Sequence, residues 1–414
     1  MGKILVVGGG VIGLSCAYYL EKAGYEVTVL DNTGMDDGAS YGNAGHVVPS
    51  HFVPLAAPGI VAQGLRWMLN ASSPFYIKPR WNTDLFRWGL QFWRSSGADT
   101  MKRNIPDLHR LLSFSRELFE DWQADLGNSF SMTSKGILIA YKTPESERHE
   151  AFLAAEAGKM GLHARILSAR EVQDLESSTV FEVRGGVLYE EDAHLQPGLL
   201  MASLKKYLDE KGVTLLSNTA VQGFQHSGNR IHAVLTDSGE YFADEFVLAN
   251  GAWMPALAGE LGINLLMQGG KGYSITYKNF LPQLQYPAIL VDHRVVTTPM
   301  GNNLRLAGTM EINGLSSPIM PKRVNAIVAS VKSYYPELDL RLNGEQVIWS
   351  GIRPLSPDGL PYIGRPSNYE NCVMAGGHAM LGLSLATGTG KLVEEIISHK
   401  KLSLSTLAFS PERF

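Results

Sequence analysis

A chain of 414 residues is longer than a single hydrophobic core usually supports, so two domains are expected. With 45% hydrophobic and 18% charged residues it can bury large cores, which excludes extensive disorder. Lysine and arginine total 36 against 40 aspartate and glutamate with no basic run, so no nucleic-acid partner is expected. The two cysteines, Cys16 and Cys372, stand outside any C-x-x-C spacing, which points to a reducing compartment and to no metal site. The apolar run 4–20 is interrupted by Gly8, Gly9, Gly10 and Gly13, and no small-residue cleavage site follows it. It reads as a nucleotide-binding turn and not as a signal peptide. No other run approaches the ~20 apolar residues that cross a bilayer, so a cytoplasmic protein is expected.

Residues 3–7 read as a short buried strand, and the glycines after it open an amphipathic helix that runs to about residue 23. Residues 26–31 form a second buried strand, completing one β-α-β unit. Between 54 and 96, Pro54, Pro58, Pro74 and Pro79 break up the pattern, and four of the seven tryptophans (Trp67, Trp81, Trp88, Trp93) gather there, as in an inserted cap. Within it Leu85, Trp88, Gln91 and Phe92 share one helical face with polar neighbours opposite, a pattern that favours packing over a peripheral membrane face. Helices at 105–126 and 145–158, a strand at 136–140 and strand material at 186–189 build a second domain. A helix at 196–211, with Pro197 in its first turn, returns the chain to the nucleotide domain. Strands follow at 213–221, 230–236 and 241–248, ending at Ala249, Asn250 and Gly251. Strands at 271–277, 288–291 and 305–307 resume the second domain's sheet. From 348 the chain closes the first domain with a strand at 372–375 and a last helix at 382–398. The expected division is 1–55, 190–262 and 345–414 for the nucleotide-binding domain, and 56–189 and 263–344 for the substrate or cap domain.

Three glycine-rich clusters carry the chemistry. Gly8, Gly9, Gly10, Val11, Ile12 and Gly13 satisfy G-x-G-x-x-G between a strand and a helix, where backbone amides and the helix dipole can hold a pyrophosphate. Asp31, 18 residues after Gly13, ends the second strand where a carboxylate can accept bonds from ribose hydroxyls. This spacing does not separate FAD from NAD. The second cluster, Ala39 through Ser40, Tyr41, Gly42, Asn43, Ala44, Gly45 and His46, is small enough for backbone to approach a flat ring. The third, Gly376, Gly377, His378, Ala379, Met380, Leu381 and Gly382, precedes the last helix, whose first amides can stabilise a negative ring.

These clusters occur in order with Lys271, Gly272, Tyr273 and Ser274, and with the GIRPLSPDGLP segment at 351–361, between them. The chain resembles bacterial FAD-dependent D-amino acid dehydrogenases of the D-amino acid oxidase and glycine oxidase superfamily, over nearly its whole length. The resemblance implies an α/β protein in which a Rossmann-type FAD-binding domain is interleaved with a mixed-sheet α+β substrate domain. It implies non-covalent FAD, with Asp31 at the adenosine ribose, Val221 near the adenine, Ser40 at the pyrophosphate, and Asn43, Ala44, Gly45 and His46 along one flavin edge. Gly351 and residues Gly377 to Gly382 would line the other edge, and Asn32, Asn250, Gly251 and Trp253 would complete the cofactor site. The family usually carries Glu in the place of Asp31, and Gln, Met or a small residue in the place of His46.

By the same resemblance Arg353 holds the substrate carboxylate, for which a planar guanidinium is suited. Tyr273 can add its hydroxyl or serve only in packing, and His51, His194 and His378 are candidates either for the pocket or for structural roles with their hydrogen bonds satisfied. Hydride transfer from the α-carbon to FAD needs alignment, a dry site and a deprotonated amine, so no catalytic acid or base is required. The implied activity is oxidative deamination of a small D-amino acid. Relatives of the SYGNAG and SHFVPLAAPG segments point to D-proline or hydroxy-D-proline. Electrons are expected to pass to a quinone or another respiratory-chain component, with a peripheral contact at the inner membrane. An oxygen-using oxidase of the glycine or sarcosine type stays open as the alternative.

Overall fold

The pentapeptide KILVV is apolar throughout after Lys3, so it needs cover on both faces, which a central position in a parallel sheet provides, and EVTVL beside it buries Val27, Val29 and Leu30. The computed structural model describes residues 2–60, 64, 75–77, 81–315 and 318–414. Trp67, Pro74 and Pro79 lie outside the described residues. A six-stranded sheet runs in the order Tyr362–Gly364, Cys372–Gly376, Glu245–Leu248, Lys3–Val7, Glu26–Leu30, Thr214–Leu216. Its pairs are parallel except the one between Tyr362–Gly364 and Cys372–Gly376.

Helices Val11–Lys22, Ala98–Leu126, Pro197–Glu210 and Ala386–Ile397 share one core on this sheet. Small residues let three of them meet closely. Ser15 Oγ donates to Ala386 O at 2.6 Å, and a Cβ on Gly390 would lie 2.4 Å from Ser15 Oγ and 2.6 Å from its carbonyl oxygen. From the long helix, Ser115 Oγ accepts from Gly388 N at 3.0 Å, while Thr387 Oγ1 donates to Ser115 O at 2.6 Å.

The second sheet runs Val347–Leu355, Gln268–Tyr277, Asn303–Ile312, Val295–Met300, Ala288–Leu290, Ile137–Tyr141, Gly185–Tyr189, Ala164–Ser168, with Phe75–Ile77 also paired to Asn303–Ile312. It is antiparallel but for two contacts, Ala288–Leu290 with Ile137–Tyr141 and Phe75–Ile77 with Asn303–Ile312. Strand alternation gives it two faces. Leu290, Val295, Leu304 and Leu306 pack beneath helix Pro321–Tyr334, while Ile289, Val291, Val296 and Ala307 look into a cavity.

Several elements depart from the sequence expectations. The stretch 213–221 is divided because Asn218 takes a left-handed turn (φ 52). Thr214–Leu216 joins the parallel sheet, and Val221–Ser227 begins a separate three-stranded one with Arg230–Thr236 and Gly239–Phe242. The stretch 241–248 is likewise two strands, Gly239–Phe242 and Glu245–Leu248, parted at Asp244, whose carboxylate accepts from Lys3 N at 2.7 Å. Val347–Leu355 follows the expected boundary at 345 yet pairs along its length with Gln268–Tyr277 of the second sheet. Ala98–Leu126 starts before 105, runs through Pro106, and packs its Leu108, Leu111, Phe119 and Trp122 into the first sheet's core. The last helix starts at Ala386 instead of 382, because residues 381–385 turn, with Leu381 N on His378 O and Leu385 N on Leu381 O, both at 2.9 Å.

Helix Thr83–Ser95 differs in its outer face. Trp88 is buried as expected, its Nε1 donating to Leu355 O at 2.8 Å and its ring stacked on Phe92. The exposed side carries apolar residues among the expected polar ones, for Phe86, Leu90 and Trp93 are exposed alongside Arg87 and Arg94, with Trp81 just before the helix. Among the described residues no helix is long and apolar enough to cross a membrane.

The three-helix contact tests the packing argument. Gly390→Ala should overpack Ser15 and destabilise the protein by about 1–3 kcal/mol, seen as a lower denaturant midpoint. An unchanged midpoint would show that the contact yields freely.

Candidate active site

A cavity of about 2090 Å³ runs from the turn after Lys3–Val7 to the open face of the second sheet. Of the expected site residues, Gly8, Gly10, Val11, Ile12, Asp31, Asn32, Ser40, Asn43, Ala44, His46, Val221, Asn250, Gly251 and Trp253 line it. So do Tyr273, Gly351, Arg353, His378, Ala379, Met380, Leu381 and Gly382, together with His51. Gly13, Gly45, Gly377 and His194 lie behind its wall. These three glycines shape backbone: a Cβ on Gly13 would fall 1.8 Å from Gly8 O, and one on Gly45 (φ +81) 2.2 Å from Leu195 O. At Gly377 (φ +73) it would lie 2.7 Å from the Tyr362 ring.

At the nucleotide end, Gly8 (φ +113) passes so close to Ala249 that a Cβ would lie 2.6 Å from its carbonyl oxygen. The turn leads into helix Val11–Lys22, whose first amides have no intrahelical acceptor. Ser40 Oγ accepts from Val11 N at 2.9 Å, which sets that hydroxyl at the helix N-terminus. Asp31 Oδ2 accepts from Gly9 N at 2.6 Å, and Oδ1 from Thr33 N at 2.8 Å and Thr33 Oγ1 at 2.7 Å. Each carboxylate oxygen has more than one acceptor site, so ribose hydroxyls remain within its capacity. Asn250 Oδ1 and His378 Nδ1 are buried without partners among the described residues. A glycine turn at a helix N-terminus, a carboxylate at the next strand's end and two orphaned polar atoms on the wall are what an extended FAD would satisfy.

The second cluster is held from the second sheet. Arg305 Nη1 donates to Tyr41 O at 2.9 Å and to Asn43 O at 2.7 Å, and its Nε donates to Thr276 Oγ1 at 3.0 Å. Trp349 lies flat against Gly42 and Gly351, where a Cβ would come within 1.9 Å and 2.0 Å of the indole. His46 Nε2 sits 2.9 Å from Thr298 Oγ1, and His378 Nε2 2.9 Å from Thr389 Oγ1. Burial pushes both imidazoles down to about 3, and those of His51 and His194 to about 4, so all four are neutral near pH 7.

Arg353 is the contrasting group. Burial lowers it to about 10, which still leaves it protonated, and its guanidinium keeps part of its surface open to the cavity. Its Nη1 donates to Thr309 O at 2.8 Å, and no carboxylate pairs with it among the described residues. The opposite strand makes room for it: a Cβ on Gly272 would lie 2.0 Å from Nη1. Thr309 itself has φ +69, a strained conformation for a β-branched residue, at a bulge between Lys271–Glu311 and Tyr273–Gly308. Tyr273 was expected to offer its hydroxyl to a substrate. Instead that hydroxyl donates to Glu311 Oε2 at 2.6 Å, and Glu311 also receives Arg323 Nε at 3.0 Å, so the proton is already committed. Arg305, Thr309 and Trp349 were not singled out from the sequence. Their roles arise from register across the second sheet, and no local motif marks them.

The family described as FAD dependent oxidoreductase (DAO) matches residues 3–396. A protein of Granulibacter bethesdensis named D-amino acid dehydrogenase is 31% identical over 409 residues, covering 96% of each chain. One of Helicobacter pylori with the same name is 30% identical, covering 95% of this chain and 94% of its own. Among solved structures, glycine oxidase from Geobacillus kaustophilus superposes with a TM-score of 0.78 at 21% identity, covering 100% of both chains. L-proline dehydrogenase from P. horikoshii gives 0.78 at 19% identity, covering 100% of this chain and 97% of that one.

Attachment through sulfur is disfavoured by burial. Cys16 and Cys372 are buried and free, and burial pushes both thiols up, Cys372 to about 12. Acid precipitation should therefore leave FAD in the supernatant and a chain of unmodified mass. A chain heavier by one flavin would contradict this.

Proposed function

The chain belongs to the FAD dependent oxidoreductase (DAO) family, and from that premise we propose that it dehydrogenates a small D-amino acid at the carbon bearing nitrogen. D-Proline and hydroxy-D-proline are the favoured substrates, and a quinone-type acceptor takes the electrons. The observation that carries the reading is Arg353, a buried guanidinium open to the cavity with no carboxylate partner among the described residues. When bound, FAD supplies the acceptor for the two electrons and the α-hydrogen removed from the substrate.

The chain's own residues bind and align. The amides of the Gly8–Gly13 turn, Ser40 and Asp31 hold the pyrophosphate and ribose. Arg353 receives the substrate carboxylate; one of its N–H groups is spent on Thr309 O, which fixes the plane of the fork for the others. The buried histidines, being neutral, leave Arg353 without a competing imidazolium. Apolar wall residues such as Phe52, Trp88 and Met310 suit a compact apolar side chain and help exclude water. The imine product hydrolyses in water to a 2-oxo acid and ammonia, or stays cyclic from a proline.

An acceptor within the bilayer calls for a membrane-facing surface. Phe86, Leu90 and Trp93 on the outer face of helix Thr83–Ser95, with Trp81 before it and exposed Arg87 and Arg94 beside them, have the character of an interfacial anchor on anionic lipid. The protein should float with anionic vesicles, and Phe86→Ser with Trp93→Ser should abolish flotation without unfolding it. Failure of the parent protein to float would contradict the contact.

The substrate reading is tested at Arg353. Hydrogen bonds to charged groups contribute about 1.5–3 kcal/mol each, so Arg353→Ala should retain FAD but lose about a hundredfold or more in kcat/KM. Arg353→Lys should recover part of this, because an ammonium keeps the charge without the fork. Gly272→Ala, with a Cβ intruding on Nη1, should resemble a mild Arg353 variant. Near-normal turnover by folded, FAD-loaded Arg353→Ala would remove the link to amino acids.

A further inference from the structure

Behind the cavity wall lies a carboxylate that the proposed binding roles do not use. Asp192 is fully buried, directly before the two-residue strand Ala193–His194, which pairs with His46–Val47. Its Oδ1 accepts from Ser50 N at 3.1 Å and its Oδ2 from Ser50 Oγ at 2.6 Å. Ser50 Oγ also lies 3.2 Å from Nδ1 of His51, and His51 lines the cavity. Since Ser50 gives its only hydroxyl proton to Asp192, the bond to His51 has Nδ1–H as donor. That tautomer leaves Nε2 with a lone pair on a ring that lines the cavity.

We propose that His51, Ser50 and Asp192 form a relay that takes the proton shed by the substrate ammonium group and stores it on the buried carboxylate. The inference rests on the amine-oxidising reading above. In the relay the ammonium N–H bond breaks as a proton joins His51 Nε2. The Nδ1 proton passes to Ser50 Oγ, and the Ser50 hydroxyl proton passes to Asp192 Oδ2. No electrons move between groups: the amine becomes neutral and nucleophilically competent, His51 ends neutral in its other tautomer, and Asp192 ends uncharged. A purely structural Asp192 would only have to accept two bonds from Ser50, which an asparagine carbonyl can do in part. Ionisation is what the relay adds.

The surroundings set the working range. Burial raises the Asp192 carboxyl to about 7, Glu191 adds to the rise, and Arg116 and the two Ser50 bonds oppose it. Around the histidines, His46 and His194 are neutral, and Lys135 acts on His194. Asp192 can receive a proton only while ionised, so the relay is open above about pH 7 and closes as pH falls through that value.

Two measurements on the FAD-loaded protein test this. Burial raises Glu150 to about 7 as well, so infrared difference spectra between acid and neutral pH should show a buried protonated carboxyl band with a midpoint near 7 that persists in Glu150→Gln and is lost in Glu150→Gln with Asp192→Asn; this readout needs no substrate. Anaerobic flavin reduction by a D-amino acid should slow about tenfold per pH unit below that midpoint. Asp192→Asn and Ser50→Ala should each lower the plateau rate about tenfold or more and lose that limb, while Ser50→Thr, which keeps the hydroxyl, should retain it. An unchanged limb and rate in folded Asp192→Asn and Ser50→Ala, or no carboxyl band near neutrality, overturns the relay. If no amino acid reduces the parent flavin while the band behaves as expected, the substrate reading fails and the proton store remains.

Discussion

A guanidinium removed from water without a counterion is costly unless something else supplies the missing charge. Arg353 is in that position: protonated, buried against Thr309 O, and facing a cavity with no carboxylate at hand among the described residues. Much of its neighbourhood serves to keep it there. Gly272 leaves the space a side chain would fill, the bulge at Thr309 turns a carbonyl toward Nη1, and Glu311 is occupied by Tyr273 and Arg323 instead of neutralising Arg353. His46, His51, His194 and His378 stay neutral, so none of these imidazoles competes with Arg353 for a carboxylate.

The same constraint joins the two sheets. Arg353 and Thr309 belong to the mixed sheet, and so does Arg305, which holds the carbonyls of Tyr41 and Asn43 in the loop that follows the parallel sheet's second strand. The cofactor cradle and the cationic end of the cavity are thus fixed relative to each other by hydrogen bonds between the loop after the parallel sheet's second strand and the mixed sheet. Trp349, wedged between Gly42 and Gly351, adds a rigid contact at that junction. Family membership, the FAD cofactor and the oxidoreductase class accord with this construction.

Legibility in the sequence followed the range of the interactions. The opening strand, turn and helix were readable because Gly8, Gly13 and the apolar runs act within thirty or so residues of one another. The helix at Pro197–Glu210 announced itself by a proline in the first turn and regular spacing, and that at Pro144–Lys159 by its helical pattern alone. Strand Val295–Met300 and helix Pro321–Tyr334 did not, and the strands about Asn218 and Asp244 ran together, because partner choice across a sheet is not a local property. Arg353 drew notice through a resemblance. Its supports Gly272 and Thr309, and the partner that claims the Tyr273 hydroxyl, became visible only with the register of Gln268–Tyr277 between its two neighbours.

The central claim is that the unpaired charge of Arg353 exists to receive a carboxylate. The most direct measurement is a titration of the oxidised, FAD-loaded protein with an unreactive aromatic carboxylic acid and, separately, with its uncharged primary amide, followed by the flavin absorption spectrum. The account predicts that the acid perturbs the spectrum and binds at least about tenfold more tightly than the amide, a difference of about 1.4 kcal/mol. Equal affinities for acid and amide would contradict it.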